Sequence, residues 1–474
     1  MNTKQIRQTI LDLAIRGELV PQDPTDEPAS VLLERIRAEK EQLIKDKKLK
    51  RDKKDNEPID EAPFELPEGW EWCRLGEICE IKGGKRLPKN SSFSDTPTNH
   101  IYIRVADMKN STVLLEDLKY IDDEVFEKIK NYLISKEDLY LTIAGTIGEV
   151  GIIPNDLDGM NLTENAAKLT EIKISRLFLM YCLSSNFCRQ QFFSGFHQVA
   201  QPKLSLETAN KTQLPLPPLA EQHCIVKKIE QLLALVDAIE QLQEELKALV
   251  KQAKNQVLNY AIAGKLTHQD PNDEPAEALL KRIGKTTAAD TPYEKLPKGW
   301  AWCRLGEVAN IISGVSYNKK DISNNGIRIL RGGNIQNSKV LILEDDIFIS
   351  ENYKNETNSV KIGDIVIVAS TGSNLLIGKA GFIKKDLDNT QIGAFLRIIR
   401  PISDICSFLQ LIFISDFYRT YIRDLAKGTN INNIKNEYLT EFIIPLPPLA
   451  EQHRIVQQIE NYFTAFDQIE NELA

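Results

Sequence analysis

The sequence predicts an α+β protein in which two globular α/β domains are separated by long antiparallel coiled-coil helices, arranged as a circular repeat with pseudo-two-fold symmetry. Three observations predict this fold. Several motifs occur twice, a central segment has coiled-coil periodicity, and two segments of similar length are rich in short β-type runs. A chain of 474 residues is long enough to bury several cores.

Three motifs recur at fixed offsets. PLPPLAEQH begins at Pro215 and again 230 positions later, and LPEGWEWCRLGE begins at Leu66 and returns as LPKGWAWCRLGE, also 230 positions later. AIRGELVPQDPTDEP begins at Ala14 and returns as AIAGKLTHQDPNDEP after 247 positions. The extra 17 positions lie in a Lys/Asp/Glu-rich run at 37–56 of the first copy. We expect that run to be a solvated helical extension or a hinge.

The central segment, 219–266, predicts one long helix. Its first half matches the C-terminal tail 449–473, and its second half matches the N-terminal region 4–19. One central helix is therefore mirrored by a helix split between the two chain ends. A coiled-coil seam with steps of four and three is formed by Ile225, Ile229, Leu232, Val236 and Ile239. We expect a slip in this spacing, after which the seam continues through Leu242, Leu246, Leu249 and Ala253.

Between the helical parts lie the two β-rich segments. Runs such as DLYLTIAG and DIVIVAS, with Gly and Asn turns, predict short strands. The motifs that bound the two segments match, but the sequences between those motifs differ. The predicted division of the chain is an N-terminal helix and linker at 1–65, a first domain at 66–213, a central helical spacer and linker at 214–295, a second domain at 296–443 and a C-terminal helix at 444–474.

Composition excludes several classes of protein. No apolar stretch approaches the roughly 20 residues that cross a bilayer, and the N-terminus has no signal-peptide core. We therefore expect a cytoplasmic protein. The seven cysteines show no C-x-x-C pair and the five histidines show no metal-site spacing, so we expect reduced thiols and no metal site. The net charge of −8 weakens a nucleic-acid interpretation without excluding it.

Taken together, the two PLPPLAEQH helix starts, the two LP-x-GW-x-WCRLGE domain openings and the circular repeat resemble the specificity subunit of type I restriction-modification systems. The resemblance covers nearly the whole chain. It includes IYIRVADMKN and LYLTIAGTIGEVGI in the first domain, and IRILRGGNIQN and DIVIVASTGSNLLIGKAGFI in the second. It implies two target-recognition domains, each of which reads half of a split site in double-stranded DNA.

The resemblance also implies partners. Two methyltransferase subunits would dock on the helices, and two restriction (motor-nuclease) subunits would join later. S-adenosylmethionine, ATP and Mg²⁺ would belong to those partners, so that this chain binds no cofactor and has no catalytic residues. Two alternatives stay open: a DNA methyltransferase or nuclease with unrecognised motifs, and a coiled-coil adaptor that does not bind DNA.

If the domains read DNA, loop side chains do the reading. Cations around a Gly-Gly turn suit phosphates, whereas Arg and Asn suit guanine and adenine edges in the major groove. The candidates in the first domain are Lys82, Gly83, Gly84, Lys85, Arg86, Lys89, Arg104, Gln198, Gln201 and Lys203. Those in the second domain are Ser313, Tyr317, Asn318, Lys319, Lys320, Arg331, Asn334, Thr429, Asn430 and Asn432.

Overall fold

In the computed structural model the described residues are 2–46, 59, 62–193, 202–285, 295–402, 405–425 and 432–473. They belong to two compact units, Met1–Leu242 and Gln243–Ala474. Each unit mixes helices with sheets, so the α+β class predicted from the sequence is confirmed. Within the described residues no helix is both long and apolar enough to cross a membrane.

The first unit contains four small sheets, with strand orders β1-β12, β6-β3-β10-β7, β2-β11-β8-β9 and β4-β5. Its helices are α1 (Thr3–Ile15), α2 (Ala29–Lys45), α3 (Leu75–Ile78), α4 (Asp123–Ile129), α5 (Arg176–Leu183), α6 (Asn186–Phe193), α7 (Leu206–Lys211) and the start of α8 (Leu219–Ile262). Its strands are β1 (Glu71–Arg74), β2 (Glu80–Gly83), β3 (His100–Ile103), β4 (Met108–Lys109), β5 (Thr112–Val113), β6 (Lys119–Ile121), β7 (Leu133–Ile134), β8 (Leu139–Thr142), β9 (Val150–Ile152), β10 (Met160–Leu162), β11 (Ala166–Thr170) and β12 (Gln213–Leu216).

The second unit contains the end of α8 and four sheets, with orders β13-β26, β14-β24-β20-β22-β18-β17, β15-β19-β16-β23 and β21-β25. Its other helices are α9 (Ala276–Arg282), α10 (Leu305–Val308), α11 (Cys406–Ile414), α12 (Asp416–Leu425), α13 (Asn436–Thr440) and α14 (Leu449–Leu473). Its strands are β13 (Ala301–Arg304), β14 (Ala309–Ser313), β15 (Ile322–Ser323), β16 (Ile327–Leu330), β17 (Ile335–Gln336), β18 (Lys339–Val340), β19 (Ile347–Ile349), β20 (Ile365–Val368), β21 (Ser370–Thr371), β22 (Ala380–Phe382), β23 (Thr390–Ile392), β24 (Leu396–Pro401), β25 (Asn432–Asn433) and β26 (Ile443–Leu446).

The central strands confirm the predicted β-type runs. All four residues of β8 are buried, and so are all four of β20. Both strands lie between two neighbours in their sheets, and a short continuous apolar run suits a strand that is covered on both faces. Each unit therefore builds its main core around the strand that the apolar pattern identified.

The circular repeat is confirmed by equivalent contacts inside each unit. In the first unit the carboxylate of Glu221, at the start of α8, accepts hydrogen bonds from the Trp70 indole N–H at 2.8 Å and from the Gln22 amide at 3.1 Å. In the second unit the carboxylate of Glu451, at the start of α14, accepts from Trp300 at 2.9 Å and from Gln269 at 3.0 Å. The same anchor therefore joins a long helix to a domain opening twice.

The helix pairing in the first unit is antiparallel. Arg7 of α1 forms ion pairs with Asp237 and Glu240 of α8, whereas Gln22, later in the chain, contacts Glu221 at the start of α8. The partner number falls as the residue number rises, so the two segments run in opposite directions.

The second unit repeats this arrangement. Lys254 of α8 pairs with Asp467 at 2.7 Å and with Glu470 at 2.8 Å, whereas Gln269 contacts Glu451. A lysine occupies the position of the first unit's Arg7. The antiparallel pairing predicted from the sequence is thus present within each unit.

The predicted slip in the seam of α8 is wrong. After the buried positions Ile225, Ile229 and Val236, Gln243 is half-buried and Val250 is buried, each seven residues after the one before it. The residues chosen for their apolar character, Leu242, Leu246 and Leu249, are instead exposed, with relative exposures of 63, 38 and 59%.

The extra run of the first copy is helical over its described part. Helix α2 has 17 residues, whereas its counterpart α9 has seven. The added turns lie against the globular part of the first unit, where Arg37 donates to Glu77 at 2.7 Å and Lys40 donates to the carbonyl of Gly76 at 3.1 Å. The remainder of this run, 47–56, lies outside the described residues.

Candidate nucleic-acid interface

Three loops of the first unit leave one end of the β2-β11-β8-β9 sheet. Strand β2 ends at Gly83 opposite Ala167, and β8 ends at Thr142 opposite Ala166, where β11 begins. The connections 84–89, 143–146 and 163–165 are therefore neighbours. We call these three connections the loop end of the first unit.

The six-stranded sheet of the second unit has an equivalent end. Strand β14 ends at Ser313 opposite Arg397, and β20 ends at Val368 opposite Leu396, near the start of β24. The connections 314–320, 369–376 and 393–395 together form the loop end of the second unit. The loops of each group lie close together because, in a pair of antiparallel strands, one strand ends at the edge of the sheet where the other begins.

Close backbone approach explains one glycine in each loop end. A Cβ on Gly84 would lie 2.1 Å from the carbonyl oxygen of Thr163, and a Cβ on Gly314 would lie 2.1 Å from that of Gly393. No side chain fits at these distances, so glycine at these two positions allows the neighbouring loops to approach each other closely. Gly84 was predicted to bind DNA, and the structure gives it this additional backbone role.

The predicted cations of the first unit gather at its loop end. Lys85 and Lys89 are exposed, and the Lys85 ammonium lies 5.3 Å from the centre of the Tyr132 ring. Lys82 lies next to Gly83 on β2 and pairs with Glu80. Lys82, Lys85 and Lys89 thus present positive charge in a form that suits phosphate oxygens.

Two further cations meet at Glu164. Arg86, whose side chain is 80% exposed, donates from Nε to the Glu164 carboxylate at 2.8 Å, and Lys203 donates to the Glu164 backbone carbonyl at 3.2 Å. Tyr102 donates its hydroxyl to the Lys85 carbonyl at 2.7 Å. Burial raises the pKa of Tyr102 to about 12, so its hydroxyl stays protonated at neutral pH.

Glu164 stays ionised beside these donors. Burial alone would raise its pKa, but hydrogen bonds from Arg86, Thr163 and Tyr102 outweigh burial and lower the pKa below its ordinary value. A cavity of about 360 Å³ opens here. It is lined by Arg86, Leu87, Phe93, Tyr102, Arg104, Val105, Ala106, Thr163, Glu164 and Asn165.

The corresponding loop of the second unit is polar rather than strongly basic. Asn318, Lys319 and Lys320 are exposed, and the Asn318 side chain contacts Asp321 at 3.3 Å. The Ser313 hydroxyl accepts a hydrogen bond from the Asn436 amide at 3.1 Å. Tyr317 is half-buried and packs against a small apolar cluster formed by Ile327, Ile329 and Ile349.

Three residues that were predicted to contact bases make side-chain contacts within their own units. The Arg104 guanidinium is bound by Asp107 and by Asp117, and the equivalent Arg331 is bound by Asp345. Asn334 is fully buried. Its amide accepts from the Arg331 backbone N–H at 2.7 Å and donates to the Asp346 carboxylate at 2.6 Å and to the Leu341 carbonyl at 3.0 Å.

The prediction for Asn334 is therefore corrected, because its side chain offers no accessible group for a base. Arg104 pairs with Asp117 and Arg331 pairs with Asp345 at equivalent turns of the two units, and the prediction that these arginines contact bases stays a prediction. The same arginine–aspartate pairing therefore occurs in both units. Sequence alone did not show it because an arginine after a strand looks the same whether it faces a base or a carboxylate.

The remaining candidates are only partly covered by the structure. Gln198 and Gln201 of the first domain, and Thr429 and Asn430 of the second, lie outside the described residues. Asn432 is in β25 and pairs with Thr371 of β21, next to the loop end of the second unit. The predictions for these positions stay predictions.

The sequence analysis missed one position in each loop end. The backbone carbonyl of Asn165 accepts hydrogen bonds from the N–H groups of Ile143 at 2.8 Å and Ala144 at 3.1 Å. The carbonyl of Phe395 accepts in the same way from Ala369 at 2.8 Å and Ser370 at 3.1 Å. Phe395 lies directly before β24, and its side chain is 68% exposed.

Comparison with known proteins agrees with this geometry. The family model for the type I restriction modification DNA specificity domain matches the chain twice, over residues 67–248 and 297–474. The first match includes one loop end and α8 as far as residue 248, and the second includes the other loop end and α14.

Relatives and solved structures extend the similarity to nearly the whole chain. The type I restriction enzyme EcoAI specificity subunit of Escherichia coli is 30% identical over 96% of this chain and 88% of its own length. The crystal structure of the HsdS subunit from Thermoanaerobacter tengcongensis matches with a TM-score of 0.52 at 22% identity, covering 88% of this chain and 94% of that one. A chain from a structural study of complex assembly and conformational transition in the type I R-M system matches with a TM-score of 0.59 at 22% identity, covering 87% and 94%. At these identities the two structures support the fold.

Proposed function

Because the chain belongs to the type I restriction-modification DNA specificity family, we propose that it reads a bipartite site in double-stranded DNA, one half with the loop end of each unit. The observation that carries this proposal is that both units build the same loop end from the same frame and fill it with different side chains. Two units with the same strand pairing but different loop side chains are suited to two independent half-site specificities.

The chemistry of the loop ends supports DNA as the ligand. In the first unit Lys85, Arg86, Lys89 and Lys203 supply positive charge around one turn, although the chain carries a net charge of −8. Contacts to phosphates position a protein on the duplex, whereas contacts to base edges give specificity. The cations would bind phosphates, and side chains at the tips of the loops would read bases.

In this proposal the chain is the non-catalytic specificity subunit and works with two methyltransferase subunits and two restriction subunits. S-adenosylmethionine, ATP and Mg²⁺ would be bound by those partners. We propose that the methyltransferase subunits dock on α8, where apolar side chains are exposed in both of its parts. These are Leu235 and Leu242 in the first unit, at 62 and 63%, and Leu246 and Leu249 in the second. Exposed leucines on a helix favour a protein partner because burying them removes apolar surface from water.

The decisive experiment reconstitutes the chain with methyltransferase subunits and maps methylated bases on genomic DNA. We expect one bipartite sequence. Replacing 66–213 by the matching segment of a relative should change one half-site and leave the other unchanged.

A control separates the alternative functions. The purified chain alone, incubated with DNA and labelled S-adenosylmethionine, should transfer no methyl group and cut no DNA. Transfer or cleavage by the chain alone would support the enzyme alternative. A reconstituted complex that methylates without sequence preference would contradict the proposed function.

A further inference from the structure

We propose that Asn165 and Phe395 are equivalent specificity-determining residues, with Asn165 reading an adenine and Phe395 contacting the methyl group of a thymine in the two half-sites. The inference rests on the proposed function and deepens it, because it assigns a base class to one residue in each unit.

The backbone frame around the two residues is the same. Each carbonyl accepts from two successive N–H groups of the neighbouring loop, Ile143 and Ala144 for Asn165, and Ala369 and Ser370 for Phe395. Each residue also directly precedes the first residue of a central strand, β11 for Asn165 and β24 for Phe395. Both side chains are therefore presented from the same point of the same fold.

In both turns a cationic side chain donates hydrogen bonds to the backbone and restrains it. In the first unit Lys203 donates to the carbonyl of Glu164, the residue before Asn165, at 3.2 Å. In the second unit Arg397 donates to the carbonyls of Ala394 at 2.9 Å and Leu396 at 2.8 Å, on either side of Phe395. A rigid turn loses little conformational entropy when it binds, which suits a reading position.

The exposure of Phe395 requires an explanation. It is 68% exposed on a turn whose backbone carbonyls accept four hydrogen bonds, two at Phe395 from backbone N–H groups and two from the Arg397 guanidinium. The neighbouring loop 369–376 contains Ser370, which pairs with Asn433 of β25. An aromatic ring with this exposure contributes little to the core, so its apolar surface is available to a ligand.

Base chemistry identifies the ligand. In the major groove the thymine methyl is the one apolar feature among the base edges, and Phe is a side chain that contacts it, whereas Asn matches the donor and acceptor of adenine. Asn165 is half-buried at the rim of the 360 Å³ cavity, and its side-chain amide makes no hydrogen bond with the described residues. The difference between the units is thus the difference between an amide and an apolar contact.

The test uses the reconstituted methylating complex and synthetic duplexes that carry its mapped site. Replacing each thymine of one half-site in turn by deoxyuridine removes only the 5-methyl group. We expect one replacement to weaken binding by wild-type complex about three- to tenfold, the value of burying roughly one methyl group. Phe395→Ala should bind both duplexes equally, and Phe395→Leu should retain part of the preference. For Asn165, replacing one adenine by 7-deazaadenine in the other half-site should weaken wild-type binding but not Asn165→Ala.

Ile362→Ala is the matched control, because Ile362 is 59% exposed but lies beyond the opposite end of β20. It should retain the full thymine preference. The inference is overturned if Phe395→Ala discriminates thymine from deoxyuridine as the wild type does, or if that half-site contains no A·T pair. Either result would leave the proposed function intact, because the wild-type complex would still methylate a defined bipartite site. A wild-type complex without a defined site would instead remove the proposed function itself.

Discussion

Substituting Glu221 by alanine should loosen the first unit and leave the second unaffected. The Glu221 carboxylate is 3% exposed and accepts hydrogen bonds from Trp70 at 2.8 Å and from Gln22 at 3.1 Å. It joins the start of α8 to the domain opening and to the segment after α1. Removing it leaves the buried Trp70 N–H without its acceptor.

The expected cost follows from these contacts. A hydrogen bond to a charged group contributes about 1.5–3 kcal/mol. Burial acts in the opposite direction, since it raises the pKa of Glu221 even though the bonds from Gln22 and Trp70 lower it. Two bonds lost, with relief from desolvation, give a net loss of about 2 kcal/mol. That loss corresponds to a roughly 30-fold larger equilibrium constant for local opening, because about 1.4 kcal/mol changes an equilibrium constant tenfold.

Hydrogen exchange measured by mass spectrometry resolves the two units separately. In Glu221→Ala the amides of β1, β12 and the first turns of α8 should exchange roughly 30-fold faster, whereas those of the second unit should not change. Glu451→Ala should produce the mirror result, and Gln231→Ala, on the exposed face of α8, should change neither unit. Exchange within threefold of wild type in the first unit, or equal acceleration in both, would refute the anchoring role.

Two further predictions concern the loop end and the helix. Gly84→Ala should abolish reading of one half-site in methylation mapping and retain the far-ultraviolet circular dichroism spectrum, because the added Cβ would lie 2.1 Å from a carbonyl oxygen. The control Gly333→Ala, whose Cβ would have no atom within 4 Å, should behave as wild type. An unchanged site in Gly84→Ala would contradict the close approach. The double variant Leu242→Lys and Leu249→Lys should keep the thermal stability of the wild type, since both leucines are exposed. It should fail to bind methyltransferase subunits in size-exclusion chromatography. Full assembly would exclude this face of α8 as the docking surface.

The candidate site was partly predictable. The cation-rich turn of the first domain was identified because Lys85, Arg86 and Lys89 surround a Gly-Gly pair, and such a turn is exposed wherever the chain folds. Asn165 and Phe395 were not identified, because nothing in either local segment shows that three loops meet there. Their position depends on strand pairings between residues far apart in the chain.

The sequence by itself determined the circular repeat, the strands at the two β-type runs and the long central helix. These are local or periodic properties, and repeated motifs specify repeated contacts, such as those of Trp70 with Glu221 and of Trp300 with Glu451. The repeated contacts could be predicted because the same motifs occur twice in the sequence.

Only the tertiary structure decided which side chains face a partner helix, a carboxylate or solvent. Val250 is buried and Leu249 exposed although both are apolar, because the partner helix selects a face by rotation. Asn334 is buried because Asp346 and the Leu341 carbonyl accept from its amide, whereas Phe395 is exposed because its backbone is tied to a neighbouring loop. Side-chain type states what a residue can bind, and long-range packing determines what it meets.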